Sequence, residues 1–223
     1  MITVSKEDYL KSILEAESEG ETVISARLAD WLRVSPPAVT MALRRLKKDR
    51  LVRVQSDGHV RLTAAGRKIA RKLTLRHHLI ERMLAELFGM EWWKVHDEAE
   101  RLEHAVSPNF EAKLLARLGR GRPCPHGNLS ELESPASRRR RGLILLADAQ
   151  PSLPYIVSGI YERDRRLLEF FEARSIRPGA RVRLLERNYD QTLTLSTAAG
   201  NVSLGQAAAG RVWVARSENS AKR

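Results

Sequence analysis

The 223 residues are 43% hydrophobic and 30% charged, with 39 Lys and Arg against 27 Asp and Glu for a net charge of +12; this fits a globular chain of two or three small domains. No run of about 18 apolar residues occurs and the chain turns polar and acidic after Met1-Ile2-Thr3-Val4, so neither a membrane span nor a signal peptide is expected, and the predicted location is the cytoplasm. Cys124 is the single cysteine, which excludes an intrachain disulfide and a zinc site of several thiolates and leaves a loop thiol as the simplest reading.

Charge is unevenly spread. Residues 24–68 hold 11 Lys/Arg and 3 Asp/Glu, a local +8, whereas residues 71–118 hold 8 of each. The amino-terminal part is therefore the candidate for a polyanionic partner. There, residues 5–17 read as an amphipathic helix with Tyr9, Leu10, Ile13 and Leu14 inward and Ser5 as cap. Residues 25–32 form a second helix. Ser35-Pro36-Pro37 then caps and starts a third over 38–49, since proline suits a first helical turn. Val39, Ala42, Leu43 and Leu46 face inward, leaving Thr40, Arg44, Lys47 and Lys48 for solvent or phosphate, while Ala38 and Thr40 are small enough to approach base edges. Residues 51–54 and 59–62 alternate like strands around an Asp57-Gly58 turn. Helix, turn, helix and hairpin make a winged helix-turn-helix, with Arg53, Arg61 and Arg67 as phosphate contacts.

Thr63 caps a long helix over 64–88 that carries His77 and Glu81 at i, i+4. A helix over 92–106 follows, presenting His96, Glu100, Glu103 and His104 at the i, i+4, i+7, i+8 spacing of one face. Imidazole and carboxylate on two helices are the donors of a transition-metal site, and so many buried together without a cation would be costly. Pro108 is read as the end of that helix, before a third segment over 110–118. Met83, Leu87, Leu102, Leu114 and Leu115 offer a surface for a second copy or, alternatively, close a monomer core. Residues 119–142 read as an irregular linker, including the solvated run Arg138 to Arg141. Beyond it, strands over 154–161, 181–186, 192–196, 202–204 and 212–215, with a helix over 164–174, suit a small β-barrel. No phosphate-loop, serine-elbow or H-E-x-x-H motif is present.

Four segments carry a family resemblance: Glu7-Asp8-Tyr9-Leu10, Arg76-His77-His78-Leu79-Ile80-Glu81-Arg82, Val95-His96-Asp97-Glu98-Ala99-Glu100-Arg101-Leu102-Glu103-His104, and Cys124-Pro125-His126-Gly127-Asn128. In their order and spacing the chain resembles the metal-dependent repressors of the diphtheria toxin repressor family. The resemblance implies a mostly α protein with small β elements: a winged helix-turn-helix over 1–70, a helical dimerisation and metal-binding domain with linker over 71–141, and an SH3-like, FeoA-type barrel over 142–223. It implies an activating site of Asp8, Glu100, Glu103 and His104, and a second site of His77, Glu81 and His96 with Asp164 from the barrel.

The iron-sensing type has methionine at the place of Asp8 and cysteine at that of Glu100. Oxygen donors there resemble the manganese-sensing members, so Mn²⁺ is the implied ion; Fe²⁺ is an alternative, and Zn²⁺ or Co²⁺ can substitute on the same ligands. Lys11 stands where short manganese-type members carry a carboxylate and Leu167 where the iron type has glutamine, so two separated sites are expected rather than a paired cluster. Ser35, Pro37 and Thr40 would meet bases or backbone, and Arg27, Arg44 and Lys47 phosphates, of a palindromic operator bound by a homodimer. His59, His78 and His126 are assigned structural roles. The function so implied is a non-enzymatic, metal-loaded repressor of metal-uptake genes. Its rivals are a carboxylate-bridged di-metal enzyme and a winged-helix regulator sensing an organic ligand.

Overall fold

The computed structural model describes residues 4–217, with side chains from Lys6 onward. Three separate apolar cores succeed one another along the chain. The first is enclosed by α1 (Val4–Ser18), α2 (Ser25–Leu32), α3 (Pro36–Lys48) and the hairpin of β1 (Val52–Val54) and β2 (Val60–Leu62). Tyr9, Leu10, Ile13 and Leu14 of α1 are buried in it as their spacing predicts; the Ser5 side chain, expected as a cap, lies outside the described residues. Arg33 stops α2 by entering the left-handed region at φ 52°, which turns its N–H back to the Ala29 and Asp30 carbonyls. Extended Ser35 then hands the chain to Pro36, whose missing N–H costs nothing in a first turn. The two strands pair antiparallel, Val54 opposite Val60, with Gly58 at φ 81° in the connection.

Thr63 accepts the Gly66 N–H and so caps α4 (Ala64–Glu86). A Cβ at Gly66 would lie 2.1 Å from the Leu51 carbonyl oxygen, so glycine lets the helix close on the hairpin. Ala70 packs into the first core, whereas Leu79, Ile80 and Leu84 pack into the next. One rigid helix therefore joins the two units and runs across position 70.

The second core lies between α4, α5 (Val95–Leu102) and α6 (Pro108–Leu118). α5 is shorter than the sequence predicts: Trp92 and Trp93 occupy a turn before it, and Glu103 to Ala105 a turn after it. Pro108 opens α6 instead of ending α5, with the Ser107 hydroxyl accepting the Phe110 N–H. The expected linker contains a further helix, α7 (Pro135–Arg140), capped by Ser134. Within the run expected to be solvated, Arg138 is 6% exposed, its guanidinium 5.2 Å from the centre of the Trp213 ring, while Arg139, Arg140 and Arg141 stay exposed.

The third core belongs to β3 (Leu143–Leu145), β4 (Pro154–Ile160), α8 (Arg165–Glu172), β5 (Arg181–Arg187), β6 (Leu193–Thr197), β7 (Gly200–Leu204), α9 (Gln206–Ala209) and β8 (Val212–Arg216). The six strands form one antiparallel sheet in the order β3-β8-β4-β5-β6-β7. β3 and α9 are not foreseen from the sequence, since three or four residues carry too little periodicity to register.

The β-rich unit touches the first one directly. Arg163 pairs with Glu15 and lies 4.8 Å over the Trp31 ring, and Arg211 pairs with Glu21 at 3.3 Å. Among the described residues no helix is long and apolar enough to cross a membrane.

Candidate metal centre and DNA-reading surface

Two groups of metal-ligating side chains form where the three units meet. At the junction between α1 and the turn after α5, His104 Nε2 lies 2.8 Å from Asp8 Oδ1 and 3.6 Å from Glu103 Oε1, and His104 Nδ1 lies 3.3 Å from Glu7 Oε2. One donor atom from each of Asp8, Glu103 and His104 can be chosen so that all lie within 4.8 Å of one another. They line a cavity of about 660 Å³ that also receives Glu100, His96, Lys11, Tyr161 and Arg163. Glu100 stands apart from the trio, its carboxylate 3.7 Å from the Lys11 ammonium and 3.6 Å from His96 Nε2.

Burial pushes the Asp8 carboxyl up, against the pull of His104. Burial opposes the Glu103 carboxylate as well, but a hydrogen bond from His77 and the Lys11 ammonium bring it down to about 2. Glu103 thus faces the Lys11 ammonium and His77, whereas the neighbour that draws Asp8 down most is His104.

The interior group is drier. His77 Nε2 lies 3.0 Å from Glu81 Oε1 and 3.0 Å from His96 Nδ1, and that His96 nitrogen lies 3.2 Å from the same Glu81 oxygen. His77, Glu81, His96 and Glu162 bring donors within 4.8 Å of one another, as do His78, Glu81, Cys124 and Glu162. His126 is fully buried with Nδ1 3.4 Å from Glu81 Oε1 and 3.6 Å from Glu162 Oε2, and Cys124 Sγ lies 3.5 Å from Glu162 Oε2.

Burial and the Lys11 ammonium pull the His77 imidazole down, yet Glu81 and Glu103 take it up to about 10. Glu81 is held well below the usual carboxylate range against its burial by His126 and His77. Burial pushes the Cys124 thiol well up, and the neighbouring Glu81 and Glu162 add to it.

Glu81 Oε2, His78 Nδ1 and His126 Nε2 are buried with no hydrogen-bond partner. Glu81 Oε2 is a buried carboxylate oxygen with no partner inside this donor set and carries a desolvation cost that a cation would relieve, whereas the His78 and His126 nitrogens nearest the carboxylates, Nε2 and Nδ1, already face Glu162 and Glu81. The residues therefore fit a divalent ion.

Of the ligands expected from the sequence, Asp8, Glu103 and His104 come together, and so do His77, Glu81 and His96. Asp164 does not join them: its carboxylate caps α8 by accepting the Leu167 N–H at 3.1 Å. Glu162, two residues earlier and just past β4, is the barrel carboxylate that reaches the interior group. Cys124, read from the sequence as a loop thiol, is buried, and it and His126, assigned a structural role, stand beside Glu162. Their Cys-x-His spacing was the available signal; the irregular loop around it hid which way they point.

On the amino-terminal unit, Ser35, Pro37, Ala38, Thr40, Arg44 and Lys47 are all exposed on or just before α3, with Arg45, Lys48 and Met41 beside them. The Thr40 hydroxyl donates to the Pro36 carbonyl at 3.1 Å. Arg27, expected at a phosphate, is paired with Glu21, and Arg67 with Glu17.

A three-helix core with a basic wing, a helical unit with carboxylate and imidazole groups, and a small antiparallel β unit define a winged-helix regulator with an ion-binding middle. Known families match in the same order: "Iron dependent repressor, N-terminal DNA binding domain" over residues 1–60, "Iron dependent repressor, metal binding and dimerisation domain" over 63–130 and "FeoA domain" over 144–216. The diphtheria toxin repressor of Corynebacterium diphtheriae is 34% identical over 212 residues, 89% of this chain and 91% of that protein. The iron-dependent repressor IdeR of Mycobacterium tuberculosis is 39% identical over 122 residues, 55% of this chain; the matched region is about half of that relative, 53% of its length. A solved manganese-dependent transcriptional repressor in complex with manganese is similar at TM-score 0.82 and 32% identity, covering 95% of this chain and 100% of that one. ScaR with bound Zn²⁺ follows at TM-score 0.79 and 28% identity, covering 95% and 99%. The chain belongs to the diphtheria toxin repressor family of metal-dependent transcriptional repressors.

Proposed function

We propose that the protein is a manganese-responsive repressor, acting in the cytoplasm as a homodimer on a palindromic operator of metal-uptake genes. The observation that carries this reading is the junction trio, because Asp8 belongs to the DNA-reading unit while Glu103 and His104 belong to the helical one. Asp8, Glu103 and His104, with Glu100 in the same cavity, would hold one ion; His77, Glu81, His96 and Glu162 would hold a second, with Cys124 and His126 around the same carboxylates. A bound divalent cation would supply a charge shared by the carboxylates of each group. Asp8 then ties α1 to the turn after α5, and since α1, α2 and α3 share one core, fixing α1 fixes the bearing of α3. Two α3 helices on a dimer must enter major grooves about 34 Å apart, so a narrowed range of bearings raises the DNA-competent population.

Leu87, Phe88, Leu102 and Phe110 are exposed apolar side chains on or beside α4, α5 and α6, which supports the helical unit as the dimer contact. Oxygen and imidazole donors suit Mn²⁺ or Fe²⁺, whereas the Cys124 sulfur favours a softer ion such as Zn²⁺. Burial favours sensing over turnover: His77 and Glu81 are 1% and 0% exposed, and of the interior group His96 lines the junction cavity. Titration of metal-free protein with Mn²⁺, Fe²⁺ or Zn²⁺, followed by duplex binding in fluorescence anisotropy, tests the reading. Mn²⁺ should tighten binding to a duplex selected from a random library. Equal affinity with and without every ion would overturn it.

A further inference from the structure

A groove of about 1170 Å³ opens on the β unit, between the start of β4, the outer face of β5, the end of β6 and the loop before β5. Arg177, Arg181 and Arg183 line it with the hydroxyls of Ser175, Ser196 and Thr197, and among the described residues no Asp or Glu does. Alternation along β5 buries Val182 and Leu184 and leaves Arg181 and Arg183 on the outward face. Pro178 and Gly179, the latter at φ 85°, make a type II turn closed by the Ala180 N–H on the Arg177 carbonyl at 2.9 Å, which sets Arg177 on the rim. Residues 173–185 hold four arginines and no acid. Among the described residues, the ion pairs of the β unit involve Arg163, Arg165 and Arg211 and leave the three groove arginines out.

We propose that this groove docks an extended acidic segment of a partner protein. Three like charges in one groove repel one another and contribute no ion pair to the fold, so a ligand bearing carboxylates is what relieves them. Arg181 and Arg183 stand two residues apart on one face, about 6.7 Å at the rise of a strand, which is the repeat of alternate side chains along an extended peptide. Guanidinium forks take carboxylates through two parallel hydrogen bonds, and the hydroxyls offer further donors. β5 is paired on both sides, with β4 and β6, so the ligand cannot join as another strand and is held by side chains across the face. The position favours a protein over the operator. β4 leaves the groove at Pro154 and reaches Ile160 about 20 Å further on, next to the Arg163 that packs on the amino-terminal unit. The groove therefore opens away from the unit that reads the duplex.

The test is fluorescence anisotropy of the full chain with a fluorescein-labelled peptide of alternating glutamate and serine. The peptide should bind, and more weakly as NaCl is added, whereas its counterpart of glutamine and serine should not bind. Arg181→Gln with Arg183→Gln should weaken binding about tenfold or more. Ala198→Glu, which sets a carboxylate at the exposed rim of the groove, should do the same. Arg139→Gln with Arg140→Gln removes the same net charge from α7 and should leave the affinity unchanged. All these positions are exposed, so each variant should melt as the unsubstituted chain does. No binding, or an equal loss in both double variants, overturns the proposal: the first leaves the groove without an acidic ligand, and the second reduces the effect to net charge. Tighter, groove-dependent binding of a single-stranded oligonucleotide or a random duplex makes nucleic acid the occupant and also overturns it. So does peptide binding that appears only once residues 218–223 are removed, or a change of oligomeric state in Arg181→Gln with Arg183→Gln, since the occupant is then the chain's own end or a second copy.

Discussion

Asp8→Asn isolates the link between ion binding and DNA reading. Asparagine keeps the size of the side chain and can keep an acceptor oxygen towards His104 Nε2, which Asp8 Oδ1 now approaches to 2.8 Å. The metal-free packing therefore loses only the difference between a charged and a neutral hydrogen bond, about 1 kcal/mol. The ion site loses far more, because one of the two carboxylates in the trio and a full negative charge disappear. Changing a residue that merely supports a metal ligand weakens binding roughly 10–100-fold. Removing the charge of a ligand itself belongs at the upper end, about 100-fold or ~2.7 kcal/mol. Of the trio, Asp8 is the member carried by α1, so the whole loss falls on the coupling between the two units. The Mn²⁺ concentration giving half-maximal duplex binding in fluorescence anisotropy should rise about 100-fold, while sedimentation shows an unchanged oligomeric state. A midpoint shifted by less than about threefold, ~0.7 kcal/mol, would refute the junction as the activating site.

Further outcomes follow from the other contacts. Glu162→Gln should weaken calorimetric Mn²⁺ binding at the interior group by about 10–100-fold. Asp164→Ala should leave that binding alone and cost about 1 kcal/mol of stability as a lost helix cap; the opposite pattern would restore Asp164 as the ligand. Arg163→Met strands the Glu15 carboxylate, whose side chain is 8% exposed, at a cost of about 3–5 kcal/mol in denaturant titration. The double variant Glu15→Gln/Arg163→Met should cost less than the sum of its parts, and strict additivity would show that the pair does not couple the units. Lys47→Ala should weaken binding to all duplexes alike and flatten the dependence of log K on log salt by about 1. A loss confined to one sequence would make Lys47 a base reader.

What could be read from the sequence was what repeats within one element. Val39, Leu43 and Leu46 announce their buried face through helical spacing, and the hairpin declares itself through alternation around Asp57-Gly58. His77 and Glu81 were recognisable because i, i+4 neighbours on one helix must share a side. What escaped notice depends on contacts between elements. Glu162 and Asp164 are both acidic, both just past β4, and no local pattern says which one turns inward and which caps α8. Arg138 sits in a run of four arginines that resembles any solvated tract, and the distant Trp213, Asn128 and Glu19 explain its burial. Lys11 is the sharpest case, since a lysine one turn from the buried Leu14 looks like an edge residue until Glu103 closes over it from 92 positions away.

The two groups of donor side chains also draw on all three units. Asp8 and Lys11 come from α1, His77 and Glu81 from α4, His96 and Glu100 from α5, Glu103 and His104 from the turn after it, Cys124 and His126 from the connecting loop, and Glu162 from the edge of the β unit. Any unit pulled away would leave buried carboxylates or imidazoles without partners, at a cost of several kcal/mol each. Glu103 and His77 share a hydrogen bond, so the junction and the interior group are adjacent links of one chain, and orienting one side chain constrains the other. Coupling of this kind needs no flexible relay between distant sites: the reading helix is one apolar core away from Asp8, and Asp8 is one imidazole, His104, away from the helical unit.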